Sequence, residues 1–260
     1  MQQPCIVVAS NDETSLRRNL LISDLVVNNG VPVHVERGAP SAAIAYNRGL
    51  DATTAPIVIF AHQDVYFPPG WAEQLAQVVA EVEAKDPNWA LISPFGMSAD
   101  RAEHRGDVWT TSLSRRVGLP VTEPVPAQSF DELTIILRRA SGLRFDESLP
   151  LFHLYGTDIV QTARAAGLGA YVVNLPAVHN DGFHGRLGED FAAGYHHIRR
   201  KWRKNLPIRT PVLWIDHFGL ALMLNRLRAA YSYDRRKAIV GDTTTDPRVF
   251  SAQCGWEPAP

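Results

Sequence analysis

The sequence predicts an α/β fold: a central, mostly parallel sheet flanked by helices, followed by a helical C-terminal extension. Three observations carry that prediction. Short apolar runs alternate with helical patterns through the first two thirds of the chain, as repeated β-α units require. The 260 residues, 45% hydrophobic and 20% charged, suffice to bury one sizeable core without disulfide or metal staples. After about residue 190 the strand pattern stops, and helical segments rich in arginine and lysine replace it. The expected division is a sheet domain over 1–190 and an extension over 191–260.

The first strand is the run 5–9, Cys5-Ile6-Val7-Val8-Ala9. Asn11 or Asp12 then suits the N-cap of a helix over 14–29, with Glu13 in its first turn. A second strand, 31–35, leads through Gly38-Ala39-Pro40 into a helix over 41–50, and a third strand covers 57–60. Within 71–85, Trp71, Leu75, Val78, Val79 and Val82 fall on one stripe, so that helix packs on the sheet. Residues 99–130, rich in Gly, Pro, Ser, Thr and charge, read as a long loop, which in a compact domain is functional or mobile. Further strands fall at 89–93, 133–137 and 170–175. A helix over 158–166 takes Thr157 as N-cap and Gly167 as stop. Helices over 191–205 and 220–230 complete the chain.

Composition excludes several functions. Lys and Arg number 26 against 27 Asp and Glu, a formal charge of −1, so no global field draws in nucleic acid or anionic lipid. The two cysteines, Cys5 and Cys254, form no C-x-x-C pair and fit a reducing compartment. No basic segment followed by an apolar stretch opens the chain, so a cytoplasmic protein is expected. The apolar stretch 211–227 is interrupted by Asp216, His217 and Asn225 and falls short of the ~20 residues of a spanning helix.

The most informative stretch runs from Ala55 to Tyr66, an apolar strand leading straight into His62-Gln63-Asp64. Ligands of open α/β sheets bind at the carboxyl ends of strands. If strand geometry persists to Asp64, His62 and Asp64 share a face and suit a divalent cation bridging to a diphosphate; capping of the strand and the next turn is the other reading. Ser10, Asn11 and Asp12 follow the first strand, and Glu36 follows the second, where a nucleotide base can be seated. Helix capping accounts for the same loop. His179, Asp181 and His184 suggest a hydrolase metal site, but no H-E-x-x-H or fourth ligand supports it. The run Arg199-Arg200-Lys201-Trp202-Arg203-Lys204 reads as a solvated face, with closure over a diphosphate, contact with anionic lipid and nucleic-acid binding as alternatives. Nucleic acid ranks last, since no aromatic platform accompanies the run.

Three blocks occur in one order: Tyr46-Asn47-Arg48-Gly49-Leu50 with His62-Gln63-Asp64-Val65 and Pro68-Pro69-Gly70-Trp71; Phe145-Asp146-Glu147 with Phe152-His153-Leu154-Tyr155-Gly156-Thr157-Asp158; and Ala177-Val178-His179-Asn180. Over roughly 5–185 the chain thereby resembles the GT-A glycosyltransferases of the family 2 type, particularly the streptomycin-biosynthesis-like branch. That branch carries His-Gln-Asp where an Asp-x-Asp is usual. The resemblance implies a GT-A fold and inverting transfer of a sugar from a nucleotide-diphospho-sugar donor to a hydroxyl acceptor, a saccharide, lipid-linked saccharide or small molecule, with Mn²⁺ or Mg²⁺. It implies Asp64, His62 and His179 at the metal, and Ser10, Asn11, Asp12, Glu36, Asn47, Arg48 and Asp64 at the donor nucleotide. Asp158 matches the catalytic base, and Asp131, Trp109 and Tyr155 fall to the acceptor. The competing expectations are a nucleotide-sugar-binding protein without turnover and, third, a metal-dependent hydrolase.

Overall fold

The computed structural model describes residues 3–259. The chain opens with β1 (Cys5–Ser10), α1 (Glu13–Arg18), a 3₁₀ turn (Leu20–Ile22), α2 (Asp24–Val27) and β2 (Val33–Arg37). The single helix expected over 14–29 is therefore broken. Asn19 turns its side chain back onto the Ser15 carbonyl, and the Ser23 hydroxyl accepts the Phe67 N–H, so neither continues a helix. Next come α3 (Ala42–Asp51), β3 (Ile57–Ala61), β4 (Val65–Tyr66), α4 (Trp71–Lys85), β5 (Trp89–Ser93) and β6 (Phe95–Ser98). Helix α4 buries Trp71, Leu75, Val78 and Val82, the predicted stripe with Val79 at its edge.

Residues 99–130 are not a loop. They contain β7 (His104–Gly106), β8 (Val108–Thr110), β9 (Arg115–Val117) and β10 (Val125–Phe130), followed by β11 (Thr134–Arg138), α5 (Tyr155–Ala165), β12 (Gly169–Val172) and β13 (Ala177–His179). The main sheet has the order β2-β1-β3-β11-β5-β12-β10-β6-β7. Six of its nine strands point one way, and β11, β10 and β7 run against them. The α/β class and the flanked central sheet are as the sequence predicts. A smaller sheet, β4-β13-β8-β9, lies at the carboxyl end of β3.

Alternate residues of β1 and β3 feed the two faces. Val7, Val58 and Phe60 join one core cluster, and Ile6, Val8, Ile57 and Ile59 the other, as the period-2 side-chain alternation dictates. Helix α3 lies close on β1: a Cβ at Gly49 would come within 2.2 Å of Val7 Cγ1, so only glycine fits there.

The tail comprises α6 (Glu189–Lys201), a hairpin of β14 (Ile208–Arg209) and β15 (Trp214–Ile215), α7 (Leu220–Tyr231), α8 (Tyr233–Lys237) and α9 (Pro247–Gln253). Phe191, Tyr195, Ile198, Leu206, Ile208, Ile215 and Leu222 belong to the same core cluster as Phe60. Among the described residues no helix is long and apolar enough to cross a membrane.

Candidate active site

Strand β3 ends at Ala61, and a turn, with Val65 N–H reaching the His62 carbonyl at 3.4 Å, carries the chain into β4. His62 and Asp64 therefore converge through a turn rather than through the continuous strand the sequence suggested. Pairing of β4 with β13 sets His179 opposite Val65, and the Asn180 N–H bonds the Asp64 carbonyl at 2.8 Å. One ligand atom each from His62, Asp64 and His179 then lies within 4.8 Å of the others.

Hydrogen bonding fixes which His62 nitrogen faces that point. The Tyr155 hydroxyl donates to the Glu132 carbonyl at 3.0 Å, so its oxygen accepts from His62 Nε2–H at 2.7 Å. The Nδ1 lone pair is left facing His179 Nε2, 3.4 Å away. Asp64 Oδ1 is buried without a hydrogen bond, and its 3.3 Å approach to His179 Nε2 is a charge contact only. A buried carboxylate oxygen with no donor, beside two imidazole nitrogens, is a set that a cation would complete.

Burial opposes the charged form of His179, but Asp181 and Asp64 raise it to about 10. Burial also works to raise Asp64, yet the two imidazoles hold it down at about 2. Burial lowers His62 to about 4 against the pull of Asp64, with His179 adding to the fall. Asp131 is close enough to raise both histidines. Its neighbour Glu132 is pushed well above the usual carboxyl range, first by burial and then by Asp131.

Two cavities meet at this point. The first, of about 490 Å³, is lined by Ser10, Asn11, Glu36, His62, Asp64 and Tyr155, among others. The second, of about 480 Å³, is lined by Thr110, Arg115, Asp131, His179, Asp181 and His184, among others. His62 and Asp64 thus face one cavity and His179 the other.

The first two sequence blocks also meet, around the Phe60 ring. The Tyr46 and Phe60 rings are 4.9 Å apart, Phe60 and Phe145 4.9 Å, and Tyr46 and Tyr155 5.4 Å. Gly156 lets α5 approach β10, since a Cβ there would lie 2.8 Å from the Phe130 carbonyl oxygen.

Several of the expected site residues lie away from the cluster or bond within the protein. Asp158 is 2% exposed and lines neither cavity. Its Oδ2 accepts from Lys201 Nζ at 2.8 Å and its Oδ1 from Trp202 Nε1 at 2.7 Å. Helix α5 begins at Tyr155 with Leu154 as its cap, not at Thr157, and Asp158 is thereby bonded to the C-terminal helical segment. Asn47 clamps the Phe145 backbone through both its amide oxygen and nitrogen and lies outside the first cavity. Arg48 is exposed and outside it too. Asp12 caps α1 through the Thr14 and Ser15 N–H groups. Trp109 stacks on Phe250 with centroids 5.1 Å apart and lines neither cavity. Tyr155 faces the first cavity instead of the second.

Gln63 had drawn no role from the sequence, although it stands between His62 and Asp64. Its Oε1 accepts from the Ser10 hydroxyl at 2.9 Å and from the Asn11 and Asp12 N–H groups at 3.0 Å, and its amide donates to Asn11 Oδ1 at 2.9 Å. One side chain thereby ties the loop after β1 to the end of β3. Gln63→Ala should loosen that wall and weaken ligand binding in the first cavity about 10-fold, as losing one good hydrogen-bonded anchor does, with metal affinity unchanged. Calorimetric titration of ligand and metal separately checks this.

No protein-family model matches the chain. A curated relative, "ATP synthase subunits region ORF 6" of Fuscovulum blasticum, is 27% identical over 159 residues, which span 56% of this chain and 60% of that protein. Among solved structures, the mannosyltransferase PcManGT of Pyrobaculum calidifontis in complex with GDP-Man and Mn²⁺ is similar at 13% identity and a TM-score of 0.45, covering 99% of this chain and 77% of its own. TarS of S. aureus in complex with UDP-GlcNAc is similar at 12% identity and a TM-score of 0.49, covering 80% and 67%.

Proposed function

We propose that the chain is an inverting glycosyltransferase that uses a nucleotide-diphospho-sugar donor and a divalent cation. The observation that carries this reading is the His62, Asp64 and His179 cluster set where two cavities meet, one for each substrate. In the first cavity, Glu36 and the Ser10–Asn11 loop offer acceptors and donors for a base. A cation held by the cluster would neutralise the charge growing on the departing nucleoside diphosphate. Two imidazoles and one carboxylate suit Mn²⁺ better than Mg²⁺.

Asp131 faces the second cavity as the proton acceptor for the attacking hydroxyl. Its Oδ1 accepts the Leu133 N–H at 3.0 Å, which orients the carboxylate. The hydroxyl oxygen bonds to the anomeric carbon as the bond to the diphosphate breaks on the opposite side, and its proton passes to Asp131. His62 is held in the tautomer that leaves Nδ1 free by the Tyr155 hydroxyl.

A thermal-shift screen of UDP, GDP and dTDP with and without Mn²⁺ tests the donor half, since a ligand at 100 times its Kd adds ~2.7 kcal/mol to stability. No stabilisation by any of them with Mn²⁺ would remove the reading. The burial of Asp158 favours a second reading, donor binding without turnover. Consumption of nucleotide-sugar in the presence of simple saccharide acceptors separates the two.

A further inference from the structure

Helix α7 leaves its apolar face in solvent. Leu220, Met223, Leu224, Leu227 and Tyr231 recur at helical spacing and are all exposed, Leu227 to 62% and Tyr231 to 96%, with Phe218 just before the helix at 80%. The opposite face buries Leu222 and Ala229, and Arg226 pins the helix to the Leu187 and Gly188 carbonyls. Beside it lies a cavity of about 430 Å³ lined by His196, Arg199, Arg200, Arg203, Leu206 and His217. A groove along α7 that includes Met223 and Leu227 shares His196 with that cavity, so the apolar stripe and the cationic cavity are contiguous. Lys201 pairs with Asp146 and Asp158, whereas among the described residues Arg199, Arg200 and Arg203 have no carboxylate within ion-pair reach. Residues 191–240 hold eleven Lys and Arg against two Asp, in a chain whose formal charge is −1.

We propose that this face docks on an anionic membrane surface, with the α7 stripe at the acyl boundary and the three arginines on lipid phosphates. An exposed apolar stripe flanked by unpaired cations is the pattern of an interfacial helix. The 12 residues of α7 extend about 18 Å, against a hydrocarbon core of about 30 Å, so the helix lies along the surface and does not span it. The neighbouring charge argues against a second copy of the chain as the occupant. A two-fold contact across this stripe would bring two strongly basic segments together.

Sedimentation of the full chain with phosphatidylcholine vesicles, with and without phosphatidylglycerol, tests this and needs neither donor nor metal, so its outcome is independent of the transferase reading. Binding to the anionic vesicles is expected, at least about 10-fold tighter than to the neutral ones and weakened by salt. Arg199→Gln, Arg200→Gln and Arg203→Gln together should weaken it about 100-fold, from roughly one lipid-surface contact per charge. Met223→Glu with Leu227→Glu should weaken it at least as much. All these side chains except the half-buried Arg199 stand on exposed positions, and circular dichroism confirms that each variant is folded. Equal binding to both vesicle types, or none, overturns the proposal. So does a dimer in light scattering that Met223→Glu with Leu227→Glu converts to monomer, which would assign the stripe to a second copy.

Discussion

Asp64→Ala should weaken Mn²⁺ binding about 100-fold or more and remove metal-dependent binding of nucleoside diphosphate. Asp64 is the only carboxylate of the cluster, and its Oδ1 makes no hydrogen bond within the protein. Losing a direct ligand costs at least what losing a supporting partner does, about 10–100-fold. The fold should survive, because Asp64 occupies a turn beyond the end of β3 and packs in no core cluster. Titrating Mn²⁺ into the variant, and UDP or GDP into the variant with and without Mn²⁺, gives the result. Unchanged metal dependence would place the cation elsewhere.

Much of this site was legible because its residues sit where apolar runs end. The strand at 57–61 is continuous and buried, so the polar residues that follow it stand at a strand terminus whatever the rest of the fold. What the local pattern does not encode is strand direction. Strand β11 is as apolar as β3 and β5 yet runs against both, because the reversal is set by connections far along the chain. Residues 99–130 misled for a different reason. Their strands are three to six residues long, and Arg105, Arg115 and Arg116 supply charge where a buried strand would be apolar. They read as loop because β7 and β9 are edge strands. Gln63 shows a third limit: an amide's role depends on four hydrogen bonds to three residues more than fifty positions away.

Asp158 and Asp131 should respond in opposite ways to the same change, and that contrast tests the base assignment. Asp158 accepts from Lys201 and Trp202, both more than forty residues along the chain, and its local setting at a helix start gave no sign of them. Asp158→Asn keeps an oxygen for the Trp202 N–H but removes the charge facing Lys201. The cost should be about 2–3 kcal/mol, below the full penalty of a broken buried pair because Lys201 keeps Asp146 at 2.7 Å. Denaturant unfolding should show a lower midpoint at an unchanged slope. Asp131→Asn keeps the oxygen that accepts the Leu133 N–H, so stability and donor affinity should hold, while transfer falls about 10²- to 10⁴-fold with loss of the proton acceptor. If transfer instead survives in Asp131→Asn and collapses in an Asp158→Asn variant of wild-type stability, the base is Asp158, and Lys201 must release it when substrate binds.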